Sequence, residues 1–199
     1  MLFAVTLRVA QLIARTEAEG PGVRFAVWVQ GCPLRCAGCC NPEMLAFEGG
    51  EPHEPEALAG RAARAGVDGV TLLGGEPFAQ AEACARFANA ARAHGLDVMI
   101  FSGFTHAELE AREDAGARAL LGACDLLVDG RFERDRPDRA RRWIGSTNQV
   151  MHFLSARFTP DDPRFRAPNT AELRLEGGVL TMNGWPGLVP KVALARRRA

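Results

Sequence analysis

VRFAVWVQ at residues 23–30 runs without a break into GCPLRCAGCC at 31–40. The first half is rich in Val, Phe and Trp, the residues a pleated, half-buried surface accommodates, and reads as a strand. Phe25, Val27, Trp28 and Val29 leave it no polar face, which fits a strand buried on both sides better than an aromatic platform for nucleic-acid bases. The second half sets four of the chain's six cysteines within nine residues. A doubly buried strand needs helices beside it, so the flanking sequence decides the fold.

Working outward, residues 7–13 (LRVAQLI) form a second strand-like run, separated from the first by the turn residues Gly20, Pro21 and Gly22. Downstream, Pro55 opens a helical stretch ending at Gly66, and VDGVTLLGG (67–75) is a short buried strand ending in two glycines. Residues 77–94 carry Phe78, Ala81, Cys84, Phe87 and Ala91 at helical spacing, and Leu96–Phe101 follows as a strand. Thr105 and Glu108 make a capping box for a helix over 105–121, and Asp125–Val128 is the next strand. This alternation predicts an α/β fold with a parallel sheet and right-handed crossovers, whose ligands collect at the carboxyl ends of the strands. Residues 131–148 read as a charged loop, Gln149–Leu154 as the last core strand, and 173–182 as a hairpin turning at Gly177-Gly178. Residues 1–154 are expected to form the core domain and 155–199 an extension packed on it, with the final ten residues mobile.

With 199 residues, 47% hydrophobic and 24% charged, the chain has the composition of an ordinary globular protein. Its 24 basic and 24 acidic residues cancel, removing the positive field that binders of nucleic acid or anionic membranes use. The N-terminus MLFAVTLRVAQLIART interrupts its apolar run with arginines and lacks an A-x-A cleavage pattern, so a cytoplasmic protein is expected. Lys191 is the only lysine, and we attach no function to that. The histidines at 53, 94, 106 and 152 have no H-x3-H or H-E-x-x-H spacing, which leaves a mononuclear zinc hydrolase without ligands.

A chain of this size does not need disulfide stapling, so clustered cysteines point to metal. Cys32, Cys36 and Cys39 stand as C-x3-C-x2-C between Gly31 and Pro42. A structural zinc site closes with four ligands, and an iron–sulfur cubane normally takes one thiolate per iron. Three thiolates leave one iron open to substrate, which suggests catalysis over pure electron transfer. Adjacent residues leave a loop in different directions, so Cys40 is expected to line the site or pack in the core, while Cys84 and Cys124 read as small buried apolar residues.

V-W-V-Q-G-C-P-L-R-C-A-G-C-C-N-P-E (27–43), preceded by Gly20-Pro21-Gly22-Val23-Arg24, resembles the signature region of the radical S-adenosylmethionine (SAM) superfamily. Within it the chain is most similar to the small glycyl-radical-enzyme activating proteins, of the kind that serve anaerobic ribonucleoside-triphosphate reductase. Gly74-Gly75-Glu76-Pro77, DLLVDGRF (125–132) and WIGSTNQ (143–149) extend the resemblance over roughly residues 8 to 154. It implies a partial (β/α)6-type barrel of about six strands, open on one side, with the hairpin as a C-terminal extension.

The resemblance also implies that Cys32, Cys36 and Cys39 bind a [4Fe–4S] cluster whose fourth iron takes the amino and carboxylate groups of SAM. One electron then cleaves SAM to methionine and a 5′-deoxyadenosyl radical, which takes a hydrogen atom from the substrate. Gly74, Gly75, Glu76 and Pro77 would hold the SAM amino group, Gly38 and Cys40 would lie along SAM, and Ser102, Asp129 and Arg131 fall where the family places ribose and carboxylate contacts. Gly103 and Gly130 stand beside them. A glycyl radical enzyme is the implied protein substrate and a flavodoxin or ferredoxin the implied electron donor, with no nucleic acid or membrane partner. Two other readings stand beside this one: a radical SAM enzyme modifying a peptide or small metabolite, and a non-catalytic iron–sulfur or zinc module with Cys40 or a distant cysteine as fourth ligand. The six arginines of 131–142 read as a solvated loop or as a docking surface, and Ser146, Thr147 and Asn148 have no assigned role.

Overall fold

A computed structural model describes residues 5–185; the final ten residues, expected to be mobile, lie outside them. Seven strands form one sheet in the order β3-β1-β2-β4-β5-β6-β7. They are β1 (Leu7–Thr16), β2 (Arg24–Val29), β3 (Glu51–His53), β4 (Gly69–Gly74), β5 (Asp97–Phe101), β6 (Leu126–Asp129) and β7 (Val150–Phe153). β2, β4, β5 and β6 run parallel in that order, β1 and β7 flank them antiparallel, and β3 pairs antiparallel with the outer edge of β1. β2 is buried along its whole length, as its composition requires. The short β3 has no alternating apolar pattern and raises the count above the expected six; it exists because Leu7, Arg8 and Val9 pair with it.

The crossovers are α1 (Pro55–Arg64) between β2 and β4, α2 (Ala81–Ala93) between β4 and β5, and α3 (His106–Glu110) with α4 (Ala115–Ala123) between β5 and β6. The single helix expected over 105–121 is two. The Thr105–Glu108 capping box starts α3 as read, but Asp114 accepts from the Ala117 N–H and caps a second start, which outweighs continuation through Arg112–Asp114.

Strand alternation divides the sheet. Phe25, Val27, Val29, Val70, Leu72, Val98, Ile100 and Leu127 face the helices and join Leu58, Phe87 and Leu120 in the main core. Cys84 and Cys124 lie in that core, as expected. The other face carries Ala26, Trp28, Leu73, Met99, Leu126 and Val128, covered by loop residues Met44, Trp143, Ile144 and Phe158. At the start of the strands this second face is polar. Arg24, fully buried, reaches Asp97 at 2.5 Å, Thr71 Oγ1 at 3.0 Å and the Val70 carbonyl at 2.6 Å. Burial lowers the Arg24 pKa, and the Asp97 carboxylate opposes that shift.

After β7 the chain ends in the hairpin β8 (Ala171–Glu176) and β9 (Val179–Gly184), which starts earlier and ends later than the expected 173–182. Its polar side is turned inward. Asn183 donates to Thr16 Oγ1 and Glu19, Gly184 N–H donates to Glu19, and Glu172 accepts from the Glu17 N–H. Leu173, Leu175 and Leu180 are left exposed. Among the described residues no helix is long and apolar enough to cross a membrane.

Candidate metal centre and cofactor rim

The cysteine loop begins where β2 ends, and its base is tied down by the backbone. Gly31 and Cys32 N–H groups donate to the Met44 and Leu45 carbonyls at 2.9 and 3.2 Å. The Gln30 side chain bonds the Ala46 carbonyl at 2.6 Å, and Gln80 in turn bonds the Gln30 carbonyl at 2.9 Å. Neither glutamine stands out in the sequence, because each works through a carbonyl distant along the chain.

Inside the loop, Arg35 (φ 49°) and Gly38 (φ 79°) take left-handed conformations that wind the chain between the cysteines. Cys32 is buried, and burial pushes its thiol pKa up, while the backbone N–H groups of Leu34 and Arg35 act in the opposite direction. N–H donors aimed at sulfur stabilise thiolate ligands of iron–sulfur clusters. Cys36 and Cys39 are half-buried, with the Cys39 N–H donating to the Cys36 carbonyl at 3.1 Å. A hydrogen bond with Cys40 pulls the Cys39 thiol down to about 6 and pushes the Cys40 thiol up. Cys40 itself is exposed at the loop's edge rather than packed in the core. Among the described residues no three His, Cys, Asp or Glu side chains come together as a ready-made ligand set. The loop nevertheless carries three thiols on one short stretch, and the Asn41 N–H donates to Cys39 Sγ at 3.4 Å, a donor chemistry that suits an iron–sulfur cluster.

β4 brings the glycine pair against this loop. Gly75 N–H donates to the Val29 carbonyl at 2.8 Å and Glu76 N–H to the Gly31 carbonyl at 2.9 Å. A Cβ on Gly75 would stand 2.5 Å from the Gly31 oxygen, and one on Gly74 (φ 102°) would stand 2.7 Å from the Trp28 Cβ. Both positions demand glycine for the close approach of two strand ends.

Glu76 turns its carboxylate inward, where it is buried and accepts from Phe78 N–H at 2.9 Å, Ser102 Oγ at 3.0 Å and Gly103 N–H at 2.8 Å. Burial raises its pKa to about 7, held from going higher by those three donors. Glu76 and Ser102 therefore brace the end of β4 against the end of β5. Pro77 starts the 3-10 turn Pro77–Gln80 that leads into α2.

Asp129 closes β6 on the helix side of the sheet. Its carboxylate accepts from His106 N–H at 2.5 Å and Val150 N–H at 3.2 Å. His152 Nε2 is 3.0 Å away but is not aligned for a hydrogen bond, and the His152 ring stacks on His106 with centroids 4.8 Å apart. The isolated spacing of these two histidines gave no sign of that stack. Arg131 is half exposed, 3.9 Å from Glu108. Of the polar rim candidates, then, Arg131 is the one whose side chain stands outward.

The WIGSTNQ segment acts as a staple for the loop after β6. Ser146 Oγ accepts from the Glu133 N–H, Asn148 donates to the Arg131 carbonyl, and Gln149 donates to the Gly130 carbonyl while accepting from Gly145 and Ser146 N–H groups. Ser146 and Asn148 thus acquire roles the sequence left open.

Residues 18–152 match the family model described as a 4Fe-4S single cluster domain. Three curated relatives carry the name anaerobic ribonucleoside-triphosphate reductase-activating protein. The protein of Pasteurella multocida (strain Pm70) is 32% identical over 143 residues, covering 67% of this chain and 89% of the relative. That of Salmonella typhi is 32% identical over 145 residues, covering 68% and 92%. That of Vibrio cholerae serotype O1 is 34% identical over 143 residues, covering 67% and 90%.

Proposed function

Because the chain belongs to the anaerobic ribonucleoside-triphosphate reductase-activating proteins, a family with a single 4Fe-4S cluster domain, we propose that it generates the glycyl radical of such a reductase. In this reading Cys32, Cys36 and Cys39 would hold a [4Fe–4S] cluster, and Gly74, Gly75, Ser102 and Arg131, at the strand ends beside the cysteine loop, would bind SAM. When bound there, the cluster and SAM would supply the one-electron chemistry for taking a hydrogen atom from a glycine of the partner enzyme.

The observation that carries the reading is the junction of the cysteine loop with the glycine pair, fixed by the bonds of Gly75 and Glu76 to the Val29 and Gly31 carbonyls. It brings the end of the strand that feeds the thiols against the backbone that would receive the cofactor's amino group. The side chains of Glu76, Ser102 and Asp129 serve this site by bracing it, with Pro77 setting the turn; Gly38 and Cys40 lie on the loop wall, and Arg131, half exposed and 3.9 Å from Glu108, is the side chain that stands outward to meet a carboxylate. An alkyl radical attacks any C–H within reach, so a rigid rim that fixes the target glycine and keeps water out is what the chemistry demands of the protein.

Helices on one face and loops on the other support a partial barrel open toward a partner, and the bonds of the hairpin to Thr16 and Glu19 support counting the described part of the extension, residues 155–185, with the core domain. A flavodoxin- or ferredoxin-type donor and a cytoplasmic setting complete the proposal. Its test is electron paramagnetic resonance of an anaerobic reductase mixed with the reconstituted protein, SAM and a reductant. A glycyl doublet that depends on this chain is expected; its absence with an intact cluster and intact SAM cleavage would exclude the reductase as substrate.

A further inference from the structure

Six arginines lie between residues 131 and 142, and most have evident partners. Arg136 pairs with Glu133 at 3.0 Å, Arg141 with Asp138 at 2.7 Å, Arg131 approaches Glu108, and Arg142 lies over the Trp143 ring at 4.2 Å. Arg134 differs. Among the described residues its guanidinium has no hydrogen-bond or ion-pair partner, and it lies directly over the bare Cα of Gly38. A Cβ built on Gly38 would come within 2.7 Å of Arg134 Nη2 and 2.8 Å of its Cζ.

Gly38 sits between Cys36 and Cys39, so this guanidinium is the cation laid across the loop that carries the thiols. Its placement is built rather than incidental. The preceding Glu133 N–H is held at 3.0 Å by the fully buried Ser146 hydroxyl, and Asn148 and Gln149 hold the carbonyls of Arg131 and Gly130 at 2.8 Å. The WIGSTNQ staple therefore positions the Arg134 segment, and a glycine at 38 leaves the space that the guanidinium fills.

We propose that Arg134 is a positioning residue for the electron step: its charge over the cysteine loop stabilises the reduced, more negative state of a cluster held by Cys32, Cys36 and Cys39, so that a one-electron reductant fills it more readily. The inference rests on the cluster reading above. Arginine suits the position because its guanidinium stays charged at any working pH and is more weakly hydrated than an ammonium. Cluster potentials respond to nearby charge and to solvent exposure. The step itself is the transfer of one electron from an external donor, such as dithionite or a reduced viologen, to the oxidised cluster, with no bond made or broken in the protein.

The test is a redox titration, followed by electron paramagnetic resonance, of the reconstituted wild type and the series Arg134→Lys, Arg134→Gln and Arg134→Glu, each with its iron and sulfide content measured. Equal iron in all four proteins is expected. At a fixed solution potential, the ratio of reduced to oxidised cluster should stay near the wild-type value in Lys, fall about threefold in Gln and further in Glu, a threefold change being about 30 mV for a one-electron couple. High salt should shrink the differences. A potential that does not follow charge, with iron content intact, overturns the role of Arg134 alone. A wild type that holds no three-cysteine cluster overturns the cluster reading and this inference with it.

Discussion

The two faces of the sheet are built to different ends. The helix side is dry and apolar: Val27, Leu72, Ile100 and Leu127 meet Leu58, Phe87 and Leu120 with no exposed surface. The loop side mixes polar and apolar layers, from the buried Arg24–Asp97 pair at the start of the strands past Trp28 and Met99 to Phe101 near their ends. Core packing tolerates one good answer and is stable; polar layers demand that every partner be present, and removing one exposes the rest to an apolar surrounding. The first face is one continuous apolar core, and the second combines a buried ion pair with a cover of loops.

The sharpest contrast is between cysteines. Cys32→Ala should abolish the iron and sulfide content of the reconstituted protein, whereas Cys84→Ala on the helix side, and Cys124→Ala beside it, should keep it. Metal analysis decides this, and loss of iron in either of the last two would break the division between the faces.

Next in size is the polar layer. Asp97→Ala leaves the Arg24 charge buried and unpaired, and is expected to lower the unfolding free energy by about 3–5 kcal/mol in urea. A change under about 1 kcal/mol would mean that the layer is hydrated and unimportant.

Glu76 sharpens the comparison through pH. Its pKa is raised from the ordinary carboxylate value to about 7, so the folded state keeps a proton that the unfolded chain releases above about 4.5. The proton-linked stability is therefore present at low pH and is lost as pH rises through about 7, amounting to about 3 kcal/mol at most. Relative to wild type, Glu76→Gln should remove that decline across the window from about 4.5 to 7 in thermal or urea melts. Parallel pH profiles for the two proteins would show that the carboxyl is not titrating there.

Much of this was legible because it is local. The strand at 23–30, the C-x3-C-x2-C spacing and the alternation of strand and helix are each written within a few consecutive residues, and the parallel order of β2, β4, β5 and β6 follows from them. The capping box at Thr105 was equally plain, but the second cap at Asp114 competed with a helical pattern running straight through it. What stayed hidden depends on distance along the chain. Arg24 and Asp97 meet across 73 residues, Glu19 and Asn183 across 164, and no spacing rule connects them. The GGEP motif marks the end of β4 and the turn after it, yet the direction of the Glu76 carboxylate, inward toward Ser102 and Gly103, is set by neighbouring strand ends that the motif does not contain. Arg134 was lost among five other arginines for the same reason.

The central claim is that the cysteine loop and the glycine pair form one site for reductive cleavage of SAM. The direct measurement is anaerobic reconstitution with iron and sulfide, reduction by dithionite, and chromatography of 5′-deoxyadenosine formed from SAM in the presence of the reductase. Deoxyadenosine well above a Cys36→Ala control is expected. An intact cluster that yields no more than that control, partner included, would contradict it.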